Sequence, residues 1–230
     1  MPRTKKNSPT LESELKLFQR GAKFVAGMDE VGRGCLAGPV SVGVAVIDIN
    51  CTLEENSFPK DLADSKLLSE EKREEILPLI KSWVIDSAVG HASANEIDEF
   101  GLTRALRRAG RRALLELKIK PDNLILDGKH NWLMPNKASD DLFGEEDNDG
   151  LLDNNLKIHS QIKADLSCAV VSAASVVAKT TRDQIMKDLS KEFLEYFWAD
   201  NKGYAAPEHL AAIKQHGPTK YHRVSWKTFN

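Results

Sequence analysis

Apolar residues in this chain form two kinds of pattern, short unbroken runs and longer stretches with a helical period. The runs rich in valine, isoleucine and leucine predict buried strands, and the periodic stretches predict helices that pack one face on those strands. The predicted strands are Phe24–Met28, Val40–Ile49, Val84–Ala92 and Leu124–Leu126. The predicted helices are Leu11–Phe18, a helix from Ser69 towards Trp83, Ala94–Phe100, Thr103–Leu117 and Leu166–Leu189. This order of strands and helices predicts a mixed α/β fold.

Two of these helices carry further signals. Ser69 is a favourable N-cap residue, and acidic residues fill the turn that follows it. Farther along the same helix, Pro78 predicts a kink or a boundary, because proline removes a backbone donor. Thr103–Leu117 has an apolar face, and its arginines are expected around the other side. The apolar positions are Leu106, Ala109, Ala113 and Leu117.

Charge is unevenly distributed along the 230 residues, a length that fits one domain with a sizeable core. The segment 138–155 contains seven acidic residues and no lysine or arginine. Omitting those seven charges changes the formal net charge from −2 to +5. A charge run of this kind predicts a solvated loop inserted into a domain whose remaining surface is basic. The overall negative charge therefore does not exclude a nucleic-acid partner.

Three cysteines, Cys35, Cys51 and Cys168, are odd in number and lack metal-binding spacing, which predicts reduced thiols. Charged residues interrupt the first apolar stretch, so it does not resemble a signal peptide. We find no apolar window long enough for a membrane span. These features predict a cytoplasmic protein with no membrane association.

Four carboxylates stand at similar places relative to the predicted elements. Asp29 and Glu30 follow the first strand, Asp127 follows Leu124–Leu126, and Asp165 precedes the helix from Leu166. If the two strands are neighbours, all four side chains meet at one edge of the sheet. Clustered carboxylates repel one another unless cations neutralise them, so the arrangement predicts a site for two magnesium ions. Two such ions suit a phosphoryl displacement, since they stabilise both the attacking and the leaving oxygen.

Simpler interpretations of two of these carboxylates remain open. Asp127 precedes Gly128 and is a common type of turn residue, and Asp165 is a common type of helix N-cap. A different class, a dinucleotide-binding enzyme, is suggested by the glycine spacing in residues 32–37. That fingerprint must open a helix, whereas Val40–Ile49 reads as a second strand, so we reject it.

An ordered series of motifs along nearly the whole chain resembles type 2 ribonuclease H (ribonuclease HII). The most specific segment is Gly27–Pro39, which includes Asp-Glu-Val-Gly-Arg-Gly. The later motifs are Asp64–Ser69, Leu126–Gly128, Lys163–Asp165, Ser172–Lys179, Thr181–Asp183, Asn201–Tyr204, Glu208–His209, Gly217–Pro218 and His222–Trp226. The chain departs from the family pattern in the acidic insertion, at Gly101–Leu102 and at Trp226.

The resemblance implies an RNase H-like fold, with a central mixed sheet flanked by helices and a small helical C-terminal part. We expect a disordered basic arm over residues 1–10, the catalytic domain over 11–190 and a substrate-binding part packed on it over 191–230. It further implies an endonuclease that cuts the RNA strand of RNA–DNA hybrids and single ribonucleotides in duplex DNA, with two Mg²⁺ or Mn²⁺ ions. Asp29, Glu30, Asp127 and Asp165 match the metal-binding carboxylates of the family.

Substrate-binding residues are also implied by the motifs. Gly32, Arg33 and Gly34 match the loop that reads the ribose 2′-hydroxyl, the group that separates RNA from DNA. Tyr204 matches a tyrosine that stacks on the next deoxyribose, with packing near Trp198 as the alternative. The candidate phosphate contacts are Lys66, Lys163, Lys179, Lys202 and Arg223. For Asp183, an ion pair with Lys179 four residues earlier is the simpler interpretation.

Two rival functions differ from this interpretation. A type 3 ribonuclease H would share the chemistry, but Gly34–Pro39 favours type 2. A non-catalytic hybrid-binding module would require the loss of a metal carboxylate, and all four are present. We expect RNA–DNA hybrids and ribonucleotide-containing duplexes as partners and a monomeric state, whereas the sequence names no protein partner.

Overall fold

Five strands form one mixed sheet in the computed structural model, which describes residues 8–55, 58–134 and 155–229. The order across the sheet is β3-β2-β1-β4-β5. The strands are β1 (Phe24–Val31), β2 (Val40–Asp48), β3 (Asp86–Ala92), β4 (Asn123–Asp127) and β5 (Lys157–Gln161). β2 runs antiparallel to β1 and β3, whereas β4 runs parallel to β1 and β5. The predicted mixed α/β class is therefore confirmed.

Helices lie on both faces of this sheet, and the helices at the C-terminal end pack around Tyr196 in a separate apolar cluster. They are α1 (Glu12–Phe18), α2 (Ile49–Glu55), α3 (Glu70–Trp83), α4 (Ala94–Phe100), α5 (Leu102–Glu116), α6 (Ala164–Ser167), α7 (Ala169–Glu192), α8 (Trp198–Asn201) and α9 (Pro207–His216). Short 3₁₀ helices occupy Ser65–Leu67 and Leu194–Tyr196. No helix within the described ranges is long and apolar enough to cross a membrane.

The core has two layers because residues on alternate faces of the strands pack against different helices. On one face, the small residues of α7 lie directly on β1 and β2. A Cβ atom added to Gly43 would lie 2.5 Å from the carbonyl oxygen of Ala174, so only glycine permits this approach. On the other face, α5 buries Leu106, Ala109 and Ala113, as its apolar pattern predicts.

Several predicted boundaries differ from the structure. β1 continues through Asp29 and Glu30 to Val31, because its antiparallel pairing with β2 extends that far. The predicted long helix is divided at Cys168, whose extended backbone separates α6 from α7. α3 continues through Pro78 to Trp83, so Pro78 is not a helix boundary, and the alternative of a kink stays a prediction. Ser69 does cap α3 as predicted, since its hydroxyl accepts from the Lys72 N–H.

Other predictions concern the chain outside the elements. Thr10 belongs to the folded part, not to a free arm, because it exchanges backbone hydrogen bonds with Ser167 and Ala169. Residues 1–7 of the predicted arm and residues 138–154 of the predicted acidic loop lie outside the described ranges. The three cysteines carry free thiols, as predicted.

Glu14 attaches α1 to the rest of the protein. Its carboxylate is fully buried and accepts a hydrogen bond from the Val170 N–H at the start of α7, at 2.9 Å. The other oxygen, Oε2, has no hydrogen-bond partner in the described chain. Burial raises the pKa of Glu14 from 4.5 to about 7, and the backbone hydrogen bonds only partly oppose this change.

We expect Glu14→Gln to stabilise the protein at alkaline pH and to flatten its pH dependence. Between about pH 4.5 and 7 the unfolded chain loses this proton before the folded chain does, so the free energy of unfolding falls as the pH rises. Above pH 7 this loss in the free energy of unfolding of wild type is complete and amounts to about 3 kcal/mol, and Glu14→Gln should not show it. Urea unfolding at pH 5 and pH 8 measures it. Glu12→Gln, on the exposed side of α1, is the control, and equal slopes for wild type and Glu14→Gln would disprove the assignment.

Candidate active site

The register of the sheet brings two of the predicted carboxylates together. Met28 of β1 pairs with Leu126 of β4, so the next residues, Asp29 and Asp127, lie side by side. The described pairing of β1 with β4 ends at this level, and β1 continues alone on that side with Glu30. The carboxylates of Asp29 and Glu30 thus reach the same site although both residues lie within β1. The expectation that the strand ends before them is wrong.

Ligand oxygens of Asp29, Glu30 and Asp127 all lie within 4.8 Å of one another. Asp127 is held in place from the chain after β5, because its Oδ1 accepts from the Ala164 N–H at 2.7 Å. The fourth predicted carboxylate, Asp165, lies in α6 and contacts Lys66, whose Nζ is 3.0 Å from Oδ2. The Asp165 N–H also lies 3.4 Å from Asp127 Oδ1, so Asp165 borders the three-carboxylate cluster.

Burial and mutual repulsion raise the pKa of each carboxyl group in the cluster. The pKa of Asp29 is well above its usual 3.8, first because of burial and then because of the charge on Glu30. Burial also raises the pKa of Glu30 and of Asp127, and the charge on Asp165 adds to the effect at Asp127. Although partial burial alone would lower it, the pKa of Lys66 is raised by the hydrogen bond to Asp165.

This cluster suits a divalent cation that prefers oxygen ligands. Glu30 Oε2 is buried and has no hydrogen-bond partner among the described residues, so one ligand oxygen is left without compensation. Its other oxygen, Oε1, accepts from the Arg33 guanidinium at 3.2 Å. A cation would satisfy the buried oxygen and reduce the repulsion, and hard carboxylate ligands favour Mg²⁺ or Mn²⁺.

The loop after β1 presents Gly32, Arg33 and Gly34 next to the carboxylates. Gly32 has a positive φ of 79°, and a Cβ atom there would lie 2.1 Å from the Arg182 Nε. Gly34 is different, because a Cβ atom there would meet nothing within 4 Å. The Arg33 side chain is 60% exposed. Protein packing explains the glycine at 32 but not the one at 34.

Tyr204 lies on the surface, 41% exposed, and the described ring contacts of Trp198 do not include it. The Lys179 Nζ and the Arg182 Cζ each lie 5.9 Å from the centre of its ring. His209 Nδ1 donates to the Tyr204 backbone carbonyl at 2.7 Å. Tyr204 is therefore held through its backbone and is partly exposed, which disfavours the core-packing alternative.

The five candidate phosphate contacts differ in exposure and in the groups that they contact. Lys66 and Lys163 are exposed near the carboxylates, as a phosphate contact requires. Lys179 donates to Asp183 at 2.6 Å, which confirms the ion pair predicted for Asp183. Arg73 also contacts this carboxylate, at 3.3 Å.

Two other candidates are buried. Lys202 is only 7% exposed, and its Nζ lies 3.2 Å from Glu70. Arg223 is fully buried and donates to the carbonyls of Gly32, Arg33 and Gly38. Burial lowers the pKa of Arg223 to about 10, which leaves it charged at neutral pH. Both side chains face the protein, in contrast to the phosphate contacts expected from their motifs.

Sequence reasoning missed Arg182, which lies between the loop after β1 and the segment Lys202–Tyr204, here called the Tyr204 segment. Its guanidinium donates to the carbonyls of Pro39, Ala37 and Lys202. A signal was present, because Arg182 falls four residues after Ala178 and four before Met186, on the buried face of α7. A charged residue within a buried helical stripe requires partners.

Comparison with known proteins agrees with this geometry. The family model for ribonuclease HII matches residues 26–229. The ribonuclease HII of Streptomyces avermitilis is 42% identical over 217 residues, which cover 94% of this chain and 82% of that protein. The structure of ribonuclease H2 from Pyrococcus horikoshii OT3 matches with a TM-score of 0.69 and 29% identity, covering 90% of this chain and 95% of that one.

A more distant structure shows how widely the fold is shared. Bst-RNase HIII, solved in complex with Mn²⁺, matches with a TM-score of 0.69 at 20% identity over 98% of this chain and 74% of that one. The two structures share the RNase H-like fold, and the matching family model and the 42% identical relative both carry the name ribonuclease HII. The chain therefore belongs to the ribonuclease HII family and is a metal-dependent endoribonuclease of RNA–DNA hybrids.

Proposed function

We propose that the protein cuts duplex DNA on the 5′ side of a single embedded ribonucleotide, leaving 3′-hydroxyl and 5′-phosphate ends. The observation that carries the proposal is the meeting of Asp29, Glu30 and Asp127 oxygens within 4.8 Å, beside the exposed loop of Arg33 and Gly34. A phosphate at the carboxylates and a ribose at the loop would then belong to neighbouring parts of one nucleotide. The biological role would be the removal of ribonucleotides from DNA.

The metal requirement is proposed as two Mg²⁺ or Mn²⁺ ions held by Asp29, Glu30, Asp127 and Asp165. When bound, these ions supply positive charge that stabilises the attacking and leaving oxygens of phosphate displacement. The chain contributes fixed positions for the ligands. The Ala164 N–H orients Asp127, and the Lys66 ammonium orients Asp165 through a 3.0 Å contact. Pre-oriented ligands need no rearrangement during the reaction.

Substrate selection is assigned to backbone groups and two side chains. Gly34 has open space where a Cβ atom would stand, so a ribose can approach the backbone closely. Arg33 can bind a phosphate through two N–H groups. The Tyr204 face favours a sugar without a 2′ substituent, which would restrict cutting to the junction between RNA and DNA.

Gly34→Ala is expected to lower cleavage at a single ribonucleotide about tenfold while leaving the unfolding temperature unchanged. The added methyl group meets no protein atom within 4 Å, so it interferes only with a ligand. Gly32→Ala is the contrasting variant, because its positive φ and the contact with Arg182 predict lower stability as well. Initial rates and thermal unfolding measure both effects. Unchanged cleavage by folded Gly34→Ala would argue against a close approach of the ribose.

The test of the proposed function uses a DNA duplex with one ribonucleotide, incubated with Mg²⁺ or with EDTA. Mapping of the ends should locate one cut, 5′ of the ribonucleotide, that depends on Mg²⁺. Cleavage of an RNA–DNA hybrid but not of this duplex would contradict the proposal and favour the substrate preference of a type 3 ribonuclease H. Binding of both duplexes without cleavage would favour a hybrid-binding module.

A further inference from the structure

Two buried arginines, Arg182 and Arg223, support the loop between β1 and β2. Both are fully buried, and within the described ranges neither forms an ion pair. Their guanidinium groups instead donate to backbone carbonyls, in seven hydrogen bonds of 2.7–3.2 Å. A buried charge is tolerated when hydrogen bonds compensate for lost hydration, so these bonds hold the loop strongly.

Arg223 determines which way two peptide groups of the loop point. Its Nη2 donates to the Gly32 carbonyl at 2.7 Å, and its Nη1 donates to the Arg33 carbonyl at 3.0 Å. In a planar trans peptide the carbonyl and the following N–H point in opposite directions. The N–H groups of Arg33 and Gly34 therefore point away from Arg223. Both residues are exposed, and neither N–H donates to another described residue.

Arg182 connects the far end of the same loop to the segment before Tyr204. Its Nε and Nη2 donate to Pro39 and Ala37, and its Nη1 donates to the Lys202 carbonyl at 2.9 Å. The Gly203 carbonyl accepts from the N–H groups of Leu36 and Ala37, which adds a direct link. The loop and the Tyr204 segment are thus fixed to each other through one side chain.

We propose that Arg182 and Arg223 are positioning residues that set the ribose specificity of this enzyme. Arg223 aims the Arg33 and Gly34 N–H groups at the 2′-oxygen, and Arg182 fixes the distance from these groups to the Tyr204 ring. The inference rests on the proposed function, because it assigns the ribose to this loop. It extends that function because it assigns the preference for ribose to two buried residues, Arg182 and Arg223, that do not contact the substrate.

Lysine should not replace either arginine. A guanidinium has five N–H donors in a rigid plane, whereas an ammonium has three on a flexible chain. Arg223→Lys would keep the charge but release at least one of the carbonyls of Gly32, Arg33 and Gly38. The loop amides would then lose their fixed direction while the carboxylate cluster stays unchanged.

The test compares affinities in EDTA for two duplexes of the same sequence, one with a single ribonucleotide and one entirely of DNA. The ratio of these affinities measures ribose recognition without cleavage. For Arg223→Lys and for Arg182→Lys we expect the ratio to fall roughly tenfold, with little change in affinity for the DNA duplex. Arg112→Lys is the control, since Arg112 donates to the His91 carbonyl on the edge strand β3 and pairs with Glu96, away from this loop.

Failure of the inference is distinguishable from failure of the proposed function. If wild type neither prefers nor cuts the ribonucleotide duplex, the proposed function is wrong. If wild type does both and the arginine variants leave the affinity ratio unchanged, or weaken both duplexes equally, the positioning role is wrong. Thermal unfolding establishes that the variants are folded.

A measurement on wild type decides the question if the variants do not fold. Amide resonances of Arg33 and Gly34 should shift on titration with the ribonucleotide duplex in EDTA. The DNA duplex should shift them much less. Equal shifts with the two duplexes would show that these N–H groups do not read the 2′-oxygen, and would overturn the proposal.

Discussion

Asp29→Asn is expected to abolish cleavage and, without divalent ions, to raise the unfolding temperature. Loss of one central ligand removes several kcal/mol of transition-state stabilisation, a decrease in rate of at least about 10³-fold. Stability should increase, because the pKa of Asp29 is raised in the folded chain and its ionised form therefore destabilises the fold. The stability contribution of such a carboxyl is complete below its unfolded pKa and is lost as the pH rises through the folded pKa.

At neutral pH and in EDTA, the asparagine should therefore stabilise the fold. A gain of roughly 1 kcal/mol would raise the unfolding temperature by about 2–4 °C for a chain of this size. Single-turnover cleavage of an RNA–DNA hybrid and thermal unfolding in EDTA measure the two effects. Asp86→Asn is the control, because Asp86 accepts hydrogen bonds from Lys118 and Ile119 away from the cluster. Full cleavage by Asp29→Asn at millimolar Mg²⁺ would refute the metal assignment.

Tyr204→Ala should reduce cutting at a single embedded ribonucleotide by between about fivefold and 150-fold. Aromatic stacking on a base is worth ~1–3 kcal/mol, and we expect a sugar to gain a similar amount on the exposed ring. Divalent-ion binding should not change, since Tyr204 contacts none of the four carboxylates. Rates on the single-ribonucleotide duplex, with metal binding followed by calorimetry, separate the two effects.

Tyr204→Phe is the matched control for this experiment. Phenylalanine keeps the flat face beside Lys179 and Arg182 but removes the hydroxyl, so it should retain most of the activity. Equal losses in the alanine and phenylalanine variants would assign the effect to the hydroxyl rather than to stacking. Unchanged rates in Tyr204→Ala would mean that the exposed ring takes no part in substrate selection.

The strands and helices of the core could be predicted because their patterns are local. The valine-rich run of β2 and the helical period of α5 specify buried faces without reference to other elements. β5 was not predicted, because the edge strand Lys157–Gln161 is half exposed and lacks an apolar run. Its position depends on pairing with β4, which is a property of the assembled sheet.

In the candidate site, too, some features could be predicted from local patterns and others depend on contacts between distant parts of the chain. Asp29, Glu30 and Asp127 could be placed together from their positions at strand ends, although β1 extends farther than its apolar run. The burial of Lys202 and Arg223 could not be predicted, since motif residues identify what is present and not what it faces. Their partners, Glu70 and the loop carbonyls, come from distant parts of the chain.

Parallel pairing of β4 with β5 has an evolutionary consequence. Asp127 pairs with Gln161 at one end of the ladder and Asn123 pairs with Lys157 at the other, so the sheet fixes both ends of the chain between Gly128 and Lys157. Residues gained or lost between these ends leave that register unchanged. A one-residue change between Asn123 and Asp127 would instead turn the carboxylate to the opposite face. Length variation in this enzyme should therefore accumulate after Gly128 and be excluded from β4.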